Sequence, residues 1–413
     1  MTKPNSNHNK FDYDVTIVGG GMVGMAAALA LARLNLSVCL LEHTEIKNNS
    51  HPSYDDRTLV VNRASVCFWQ NLGIWDDLTE QLTPIDKVHV SNKGHFGSVV
   101  FAAAQMGVKA LAFIIEAKVL GMALRKKIQH HNNTTIICPA QMTTFSAQAD
   151  GIEISYKVDG REHNIRSRLM LAADGAQSAI RTKLQLKTEI KSYDQTAIIC
   201  NITPEFKHNN CAYERLTRTG PTAVLPFVNN RCGFVWACEN AQLKQLMAYD
   251  DAQFLQAAQV QFGYRLGKFL KVGRRSSYPL YLVKVPIQVK TRTILMGNAA
   301  HAMSPVSAQG LNLAVRDVAM LAETIEKAIE NKIDIGADAN LNHYQQNIQQ
   351  DQQQTMSYTD DLMAWFKIDE PMIAGLRSVG LFAMDQLSAA KSELFSRASG
   401  YRGKATPKLL RAQ

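Results

Sequence analysis

Three glycines in the pattern Gly19-x-Gly21-x-x-Gly24, followed eighteen residues later by Glu42, form the clearest chemical signal in the chain. In such a pattern the first glycine permits a tight turn and the second lets a pyrophosphate approach the backbone. The third lets a helix pack closely on a strand. The N–H groups and positive end of that helix face a dianion, and Glu42 is placed to accept hydrogen bonds from a ribose diol. An acid at this position favours an unphosphorylated adenosine ribose, so the ligand is FAD or NAD, and the motif alone does not choose between them. His301 is a candidate proton-transfer group, with a packed, hydrogen-bonded histidine as the plainer alternative. No HxxxH or Cys/His cluster has metal-ligand spacing, so no metal is expected. Cys232 and Cys238 read as small core residues.

The elements that must position these groups can be read in order. Val15 to Val18 is short, branched and apolar, as a fully buried strand should be. Met22 to Leu34 reads as an Ala-rich helix, and Ser37 to Leu41 as a second buried strand ending at Glu42, completing a βαβ unit. Residues 86 to 104 alternate as sheet edges do, and Ala112 to Ile128 reads as a helix. Thr135 to Cys138 and Gly151 to Val158 alternate again, with Asp159-Gly160 as a hairpin turn. Leu169 to Ala172 is a short buried strand leading to Asp174-Gly175. Residues 193 to 240 contain four antiparallel strands with a turn at Asn229-Asn230, the basis of a second, sheet-based domain. On them Tyr213, Phe227 and Trp236 either line an aromatic pocket above the cofactor or pack the sheet's core. Thr293 to Met296 is another buried strand, followed by a helix from about Leu311 to Asn331. The glutamine-dense run Gln345 to Gln354 reads as a solvated helix face.

Two later segments carry a family resemblance. LAADGAQSAIR (171 to 181) resembles the Asp-Gly segment of aromatic-ring flavoprotein monooxygenases, and LMGNAAHAMSPVSAQGLNLAVRDVAML (295 to 321) resembles their second flavin segment. With the glycine motif they form the three-part signature of that family, in order. HPSYDDRTLVVN, NLGIWDDL, VHVSNKGHFGS, YERLTRTGPTAVLPF and FGYRLGKFLKVGRRSSYPL resemble its ubiquinone-biosynthesis branch, over most of residues 12 to 390. The resemblance implies FAD as cofactor, with Asp174, Asn298, Gly310, Leu311 and Asn312 at the flavin and Arg57 approaching it. It implies an α/β fold: a discontinuous Rossmann-type FAD-binding domain (1–75, 105–182, 285–370) with an inserted, mainly antiparallel β-sheet substrate domain (76–104, 183–284). A C-terminal helix and basic tail (371–413) would follow. The implied reaction is hydroxylation of a polyprenyl (methoxy)phenol by a flavin hydroperoxide, with O2 as oxidant. NAD(P)H is the implied transient reductant, since only one dinucleotide fingerprint is present. Two positions depart from the family pattern: Asn298 replaces an aspartate, and Ala308 stands where a glycine is usual. A non-hydroxylating flavoprotein scaffold of a quinone-synthesis complex and an NAD-dependent dehydrogenase are the rival readings.

The chain has 413 residues with 46% hydrophobic content and a formal charge of +9, enough to bury two or three cores and inconsistent with global disorder. No apolar run reaches the ~18 residues of a membrane span. The polar N-terminus lacks a secretory h-region, and seven cysteines without a CxxC pair suit a reducing cytoplasm. Residues 391 to 413 carry a net +5, more than half of the total charge. The nearly balanced remainder lacks the aromatic-interleaved basic groove of a nucleic-acid binder. Met372, Leu376, Val379, Ala383 and Leu387 recur at helical spacing just before this tail. Stripe and tail together suggest peripheral contact with the inner face of a membrane, or with other ubiquinone-biosynthesis proteins.

Overall fold

In the parallel sheet, Tyr13–Val18 lies between Val38–Leu41 and Arg161–Ala172; Thr134–Ile137 extends one side and Thr293–Leu295 the other. The computed structural model describes residues 10–45, 57–217, 219–304, 308–367, 371–401 and 406–412. Nine of the eleven residues of the helix Met22–Ala32 are buried. It shares one core with the helices Ala117–Gln129 and Gly310–Glu330. Burial on all sides explains why its sequence shows alanine and leucine throughout rather than an amphipathic stripe. A meander of Gln141–Ala147, Ile152–Val158 and the first half of Arg161–Ala172 covers the opposite face, turning at Asp159-Gly160 as expected.

Two expected elements are corrected. Ala112–Glu116 is a strand rather than the start of a helix, pairing antiparallel with Thr58–Asn62 and Thr83–Ile85; the helix begins only at Ala117. A short apolar run carries no reliable period, and the β-branched partner TLVVN decides the outcome through pairing. The buried strand expected at Leu169 to Ala172 begins at Arg161, because its exposed half pairs in the meander.

The second sheet has nine strands and is antiparallel except where Cys211–Leu216 runs parallel to Lys87–Asn92. Helices Asn240–Ala248 and Asp251–Phe262 cover one face. The other face carries Ala197, Val235, Ala237, Leu280 and Leu282, which cluster with Met303, Leu313 and Met356. This face therefore looks toward the segment that opens the helix Gly310–Glu330. The edge strand Ser98–Ala102 is closed by side chains: the Val100 N–H donates to Asp385 Oδ1 at 3.0 Å, and Lys391 Nζ donates to the Val100 carbonyl at 3.2 Å. Side chains thus stand where a further strand would otherwise add.

The C-terminal part is helical: Asp338–Lys367, Pro371–Gln386 and Ser388–Ala398. The glutamine run is not wholly solvated, since Gln352 is 3% exposed and donates to Asp317 Oδ2 at 2.9 Å while bonding Gln288. Nor is the basic tail a free appendage. Leu410 is 1% exposed within the main core, Tyr401 meets Cys67 at 3.3 Å, and Asn71 donates to the carbonyls of Leu409 and Arg411. Lys408 pairs with Glu326 at 2.9 Å, Lys391 with Asp385 and Arg397 with Glu393, so much of the tail's charge is answered within the chain. A segment poor in apolar residues still adds core when two leucines land in one groove. Val379, Phe382 and Leu387 are more than half exposed. The side chains of Met372 and Leu376, and all of Arg402 and Lys404, lie outside what is described.

Candidate active site

The turn after Tyr13–Val18 shows why glycine is needed. Gly19 adopts φ +110°, and a Cβ there would strike the Ala173 carbonyl; a Cβ on Gly24 would strike the carbonyl oxygen of Gly19. Strand, turn and helix are therefore packed to backbone distance. Gly21 is the N-cap of Met22–Ala32 and offers no side-chain cap, so N–H groups of the first turn are left for an external acceptor. Glu42, 8% exposed at the end of its strand, accepts from Gly20 N at 2.5 Å and Thr44 N at 2.6 Å. It holds the turn and, with four lone-pair sites, retains capacity for a diol.

The Asp-Gly segment meets this turn from the neighbouring strand. Asp174 Oδ2 accepts from Ile180 N at 3.2 Å, while its Oδ1 is buried without a hydrogen-bond partner among the described residues. Arg181 ties the segment to the second flavin segment by donating to the Ala299 carbonyl at 3.0 Å. Asn298 is exposed on the short turn Gly297–Ala299. Ala308 occupies φ +51°, the left-handed conformation that glycine adopts freely. Gly310 opens the helix with open space at its Cα. Pro305 to Ser307 lie outside the described residues.

Asn312, 1% exposed, has its amide fully engaged. Oδ1 accepts from Asn62 N (3.0 Å) and Ser65 Oγ (2.8 Å), and Nδ2 donates to the carbonyls of Val60 (2.9 Å) and Ala308 (2.8 Å). It braces the loop against the strand Thr58–Asn62, and its neighbour Leu311 is half-buried against the main core. Arg57, at the start of that strand, lies over the ring of Tyr278 on the second sheet at 5.0 Å. His301 is 1% exposed and bonds Asp317 at 2.6 Å; Gln352 also donates to Asp317. The packed, hydrogen-bonded alternative is what the structure shows for it.

The three aromatic candidates are not brought together. Tyr213 meets Phe262 edge-on at 5.7 Å, and Trp236 packs near Phe234 and Phe254, both on the helix-covered face. Phe227 belongs to another cluster with Ile85, Leu111 and Ile114. Strand alternation places their immediate neighbours on the cofactor side instead. Glu214, paired with Ala223 and Val90, lies on that side and was missed. Its signal is a carboxylate interposed between Ala212 and Leu216 on a face that alternation makes apolar.

An uncapped helix start, an acid at the strand end and the unused buried oxygen of Asp174 fit a dinucleotide with a flavin at its far end. Fold and site together define a flavin-dependent oxidoreductase with a sheet-walled substrate side. Residues 12–359 match the FAD binding domain family, and the chain belongs to it. It is 32% identical to the ubiquinone hydroxylase UbiL of Rhodospirillum rubrum over 400 residues, 96% of this chain and 92% of the relative. It is 28% identical to the 3-demethoxyubiquinol 3-hydroxylase of Escherichia coli, across 94% and 98% of the two chains. Among solved structures, p-nitrophenol 4-monooxygenase PnpA from Pseudomonas putida superposes with a TM-score of 0.78 at 17% identity, covering 94% of this chain and 98% of that one. PqsL of P. aeruginosa gives 0.75 at 18% identity, covering 88% and 99%. The chain is an FAD-dependent monooxygenase, which removes the NAD-dependent dehydrogenase reading.

Proposed function

We propose that this monooxygenase hydroxylates a polyprenyl phenol of the 2-polyprenyl-6-methoxyphenol class in ubiquinone biosynthesis, using O2 and NAD(P)H. The observation that carries the reading is the juxtaposition of the flavin segment, through Met303 and Leu313, with the apolar face of the second sheet. Bound FAD supplies electron transfer from the nicotinamide and activation of dioxygen. The chain's own residues hold and shield. Gly21 and the first turn of Met22–Ala32 would bind the pyrophosphate, and Glu42 the ribose. Asp174 and Asn298 would serve the flavin's polar chain, with Arg57 at its approach. Ala197, Val235 and Leu280 form a wall that excludes water from the reacting ring.

Residues 1–75, 105–182 and 285–370 are read as the cofactor domain, and 76–104 with 183–284 as the substrate domain. Among the described residues no helix is long and apolar enough to cross a membrane. A cleft of about 760 Å³ beside Gln309 mixes the charged Arg316, Asp351 and Asp361 with the apolar Met320, Ile348 and Leu394, so an isoprenoid tail there would meet both. The exposed Val379, Phe382 and Leu387 support peripheral docking where such a tail resides. Mass-spectrometric profiling of quinone intermediates in a deletion strain tests the assignment. A polyprenyl phenol lacking one hydroxyl should accumulate and disappear on complementation. An unchanged quinone pool would reject the pathway.

A further inference from the structure

Glu214 stands on the strand Cys211–Leu216, directly opposite Ala223, which is itself opposite Val235; across the parallel pairing it faces Val90. Paired residues share a sheet face, so Glu214 projects on the same side as the cluster of Ala223, Val235, Met303 and Leu313. That is the side of the flavin segment. Its strand neighbours Tyr213 and Arg215 project from the opposite face, where Tyr213 meets Phe262. The strand Thr58–Asn62 crosses the same inner face: a Cβ on Gly233 would strike Thr58, and Arg57 lies just beyond. Glu214 therefore projects from the inner face of the second sheet, the face that also meets the cofactor segment.

Its Oε1 is buried and has no hydrogen-bond partner among the described residues. A buried carboxylate oxygen left unmatched is costly, and an apolar residue of similar size would suit the site better if packing were its only task. The unmatched oxygen points to a ligand donor. Tyr358, on the helix Asp338–Lys367, has its phenol pushed up first by burial and then by the Glu214 charge. Burial alone pushes the Glu214 carboxyl up to about 7, so it exchanges a proton near neutrality.

We propose that Glu214 accepts the phenol O–H of the substrate and takes its proton during hydroxylation, an inference that rests on the phenol reading above. The phenol proton passes to the carboxylate as a ring carbon bonds to oxygen, leaving a dienone. That carbon then loses its hydrogen as a proton to water, and Glu214 returns its own proton to the ring oxygen as aromaticity is restored. Dioxygen and two electrons from NAD(P)H supply the inserted atom: the O–O bond breaks as the ring carbon bonds to one oxygen, and the other leaves as water with one proton from NAD(P)H and one from solvent. The hydrogen bond also fixes which ring carbon faces the flavin, so Glu214 sets orientation as well as proton balance.

The test uses FAD-loaded protein and a geranyl-substituted 2-methoxyphenol. Glu214→Gln should retain FAD, yet form at least ~10-fold less hydroxylated product per NAD(P)H consumed, with hydrogen peroxide making up the difference. The acid limb of kcat/KM near pH 7 should vanish in Glu214→Gln and persist in Glu214→Asp. Equal coupling and an unchanged limb in Glu214→Gln would overturn the proposal. A readout independent of turnover is the infrared band of the protonated carboxyl, expected to titrate near pH 7, to shift on phenol binding and to be absent from Glu214→Gln. A band unmoved by bound phenol overturns the role of Glu214 even where hydroxylation proceeds. A band that responds in a protein that hydroxylates no phenol upholds the contact with Glu214 and defeats only the activity reading.

Discussion

The C-terminal segment offers a sharp contrast between charge and packing. Leu410 is 1% exposed in the core that also holds the helices Met22–Ala32 and Gly310–Glu330, whereas the neighbouring Lys408 ammonium is largely exposed in its pair with Glu326. Truncating a fully buried leucine costs about 2–5 kcal/mol through lost transfer energy and the cavity left behind. A chain of this size unfolds with a urea dependence near the upper end of roughly 1–3 kcal/mol per molar. Leu410→Ala at about 3 kcal/mol should therefore lower the unfolding midpoint by about 1 M urea. Exposed ion pairs contribute little, so Lys408→Gln should leave the midpoint unshifted. The assay is urea titration read by circular dichroism and by fluorescence of released flavin, at low and high salt. Deleting residues 406–413 should at least match Leu410→Ala. A deletion that keeps wild-type stability, or a Lys408→Gln loss equal to that of Leu410→Ala, would refute the packing argument and restore the tail as a free basic appendage.

Four further outcomes are expected. Gly21→Leu should yield colourless protein, because a side chain would occupy the pyrophosphate's approach; a yellow Gly21→Leu protein would remove the turn from the cofactor site. Asn298→Asp should keep FAD and activity within an order of magnitude, measured as bound flavin and product formed, since an exposed amide accommodates a carboxylate. Ala308→Gly should relieve left-handed strain of roughly 1–2 kcal/mol against roughly 0.4–1 kcal/mol of added chain entropy, raising thermal stability slightly. The folded carboxyl of Glu214 lies up at about 7, above its ordinary 4.5, so the folded state holds the proton more tightly. Its contribution is fully present below about pH 4.5 and lost as pH rises to about 7; urea titrations across this range should show a decline that is shallower in Glu214→Gln.

The cofactor half of the molecule was legible because its constraints are local. Gly24 lies against the carbonyl of Gly19, and Glu42 takes the N–H of Gly20, contacts that stay within thirty residues. The substrate half depends on register between distant strands, and a shift of one residue moves a side chain to the other face. Tyr213 drew attention as an aromatic while its neighbour Glu214 held the inner face. Asn312 looked like a cofactor ligand because its motif is, yet its four partners lie at residues 60, 62, 65 and 308, contacts no spacing rule reveals. The tail was misread for the same reason: composition counts its charges but not the groove that receives Leu410.

That groove bears on how the protein is made. The strand Tyr13–Val18 needs Arg161–Ala172 beside it, that strand needs Thr293–Leu295, and the shared core closes with Leu410. At ~5–20 residues per second, synthesis separates the first of these from the last by roughly 20–80 s. Until those later strands join it, the nascent βαβ unit exposes an unpaired sheet edge and an apolar helix face, the features that invite aggregation and chaperone capture. The cofactor pocket draws on segments scattered from residue 19 to residue 312, so it takes shape only after the helix Gly310–Glu330 has begun to form. Flavin can be held across all of these segments only once the later ones have folded against the first.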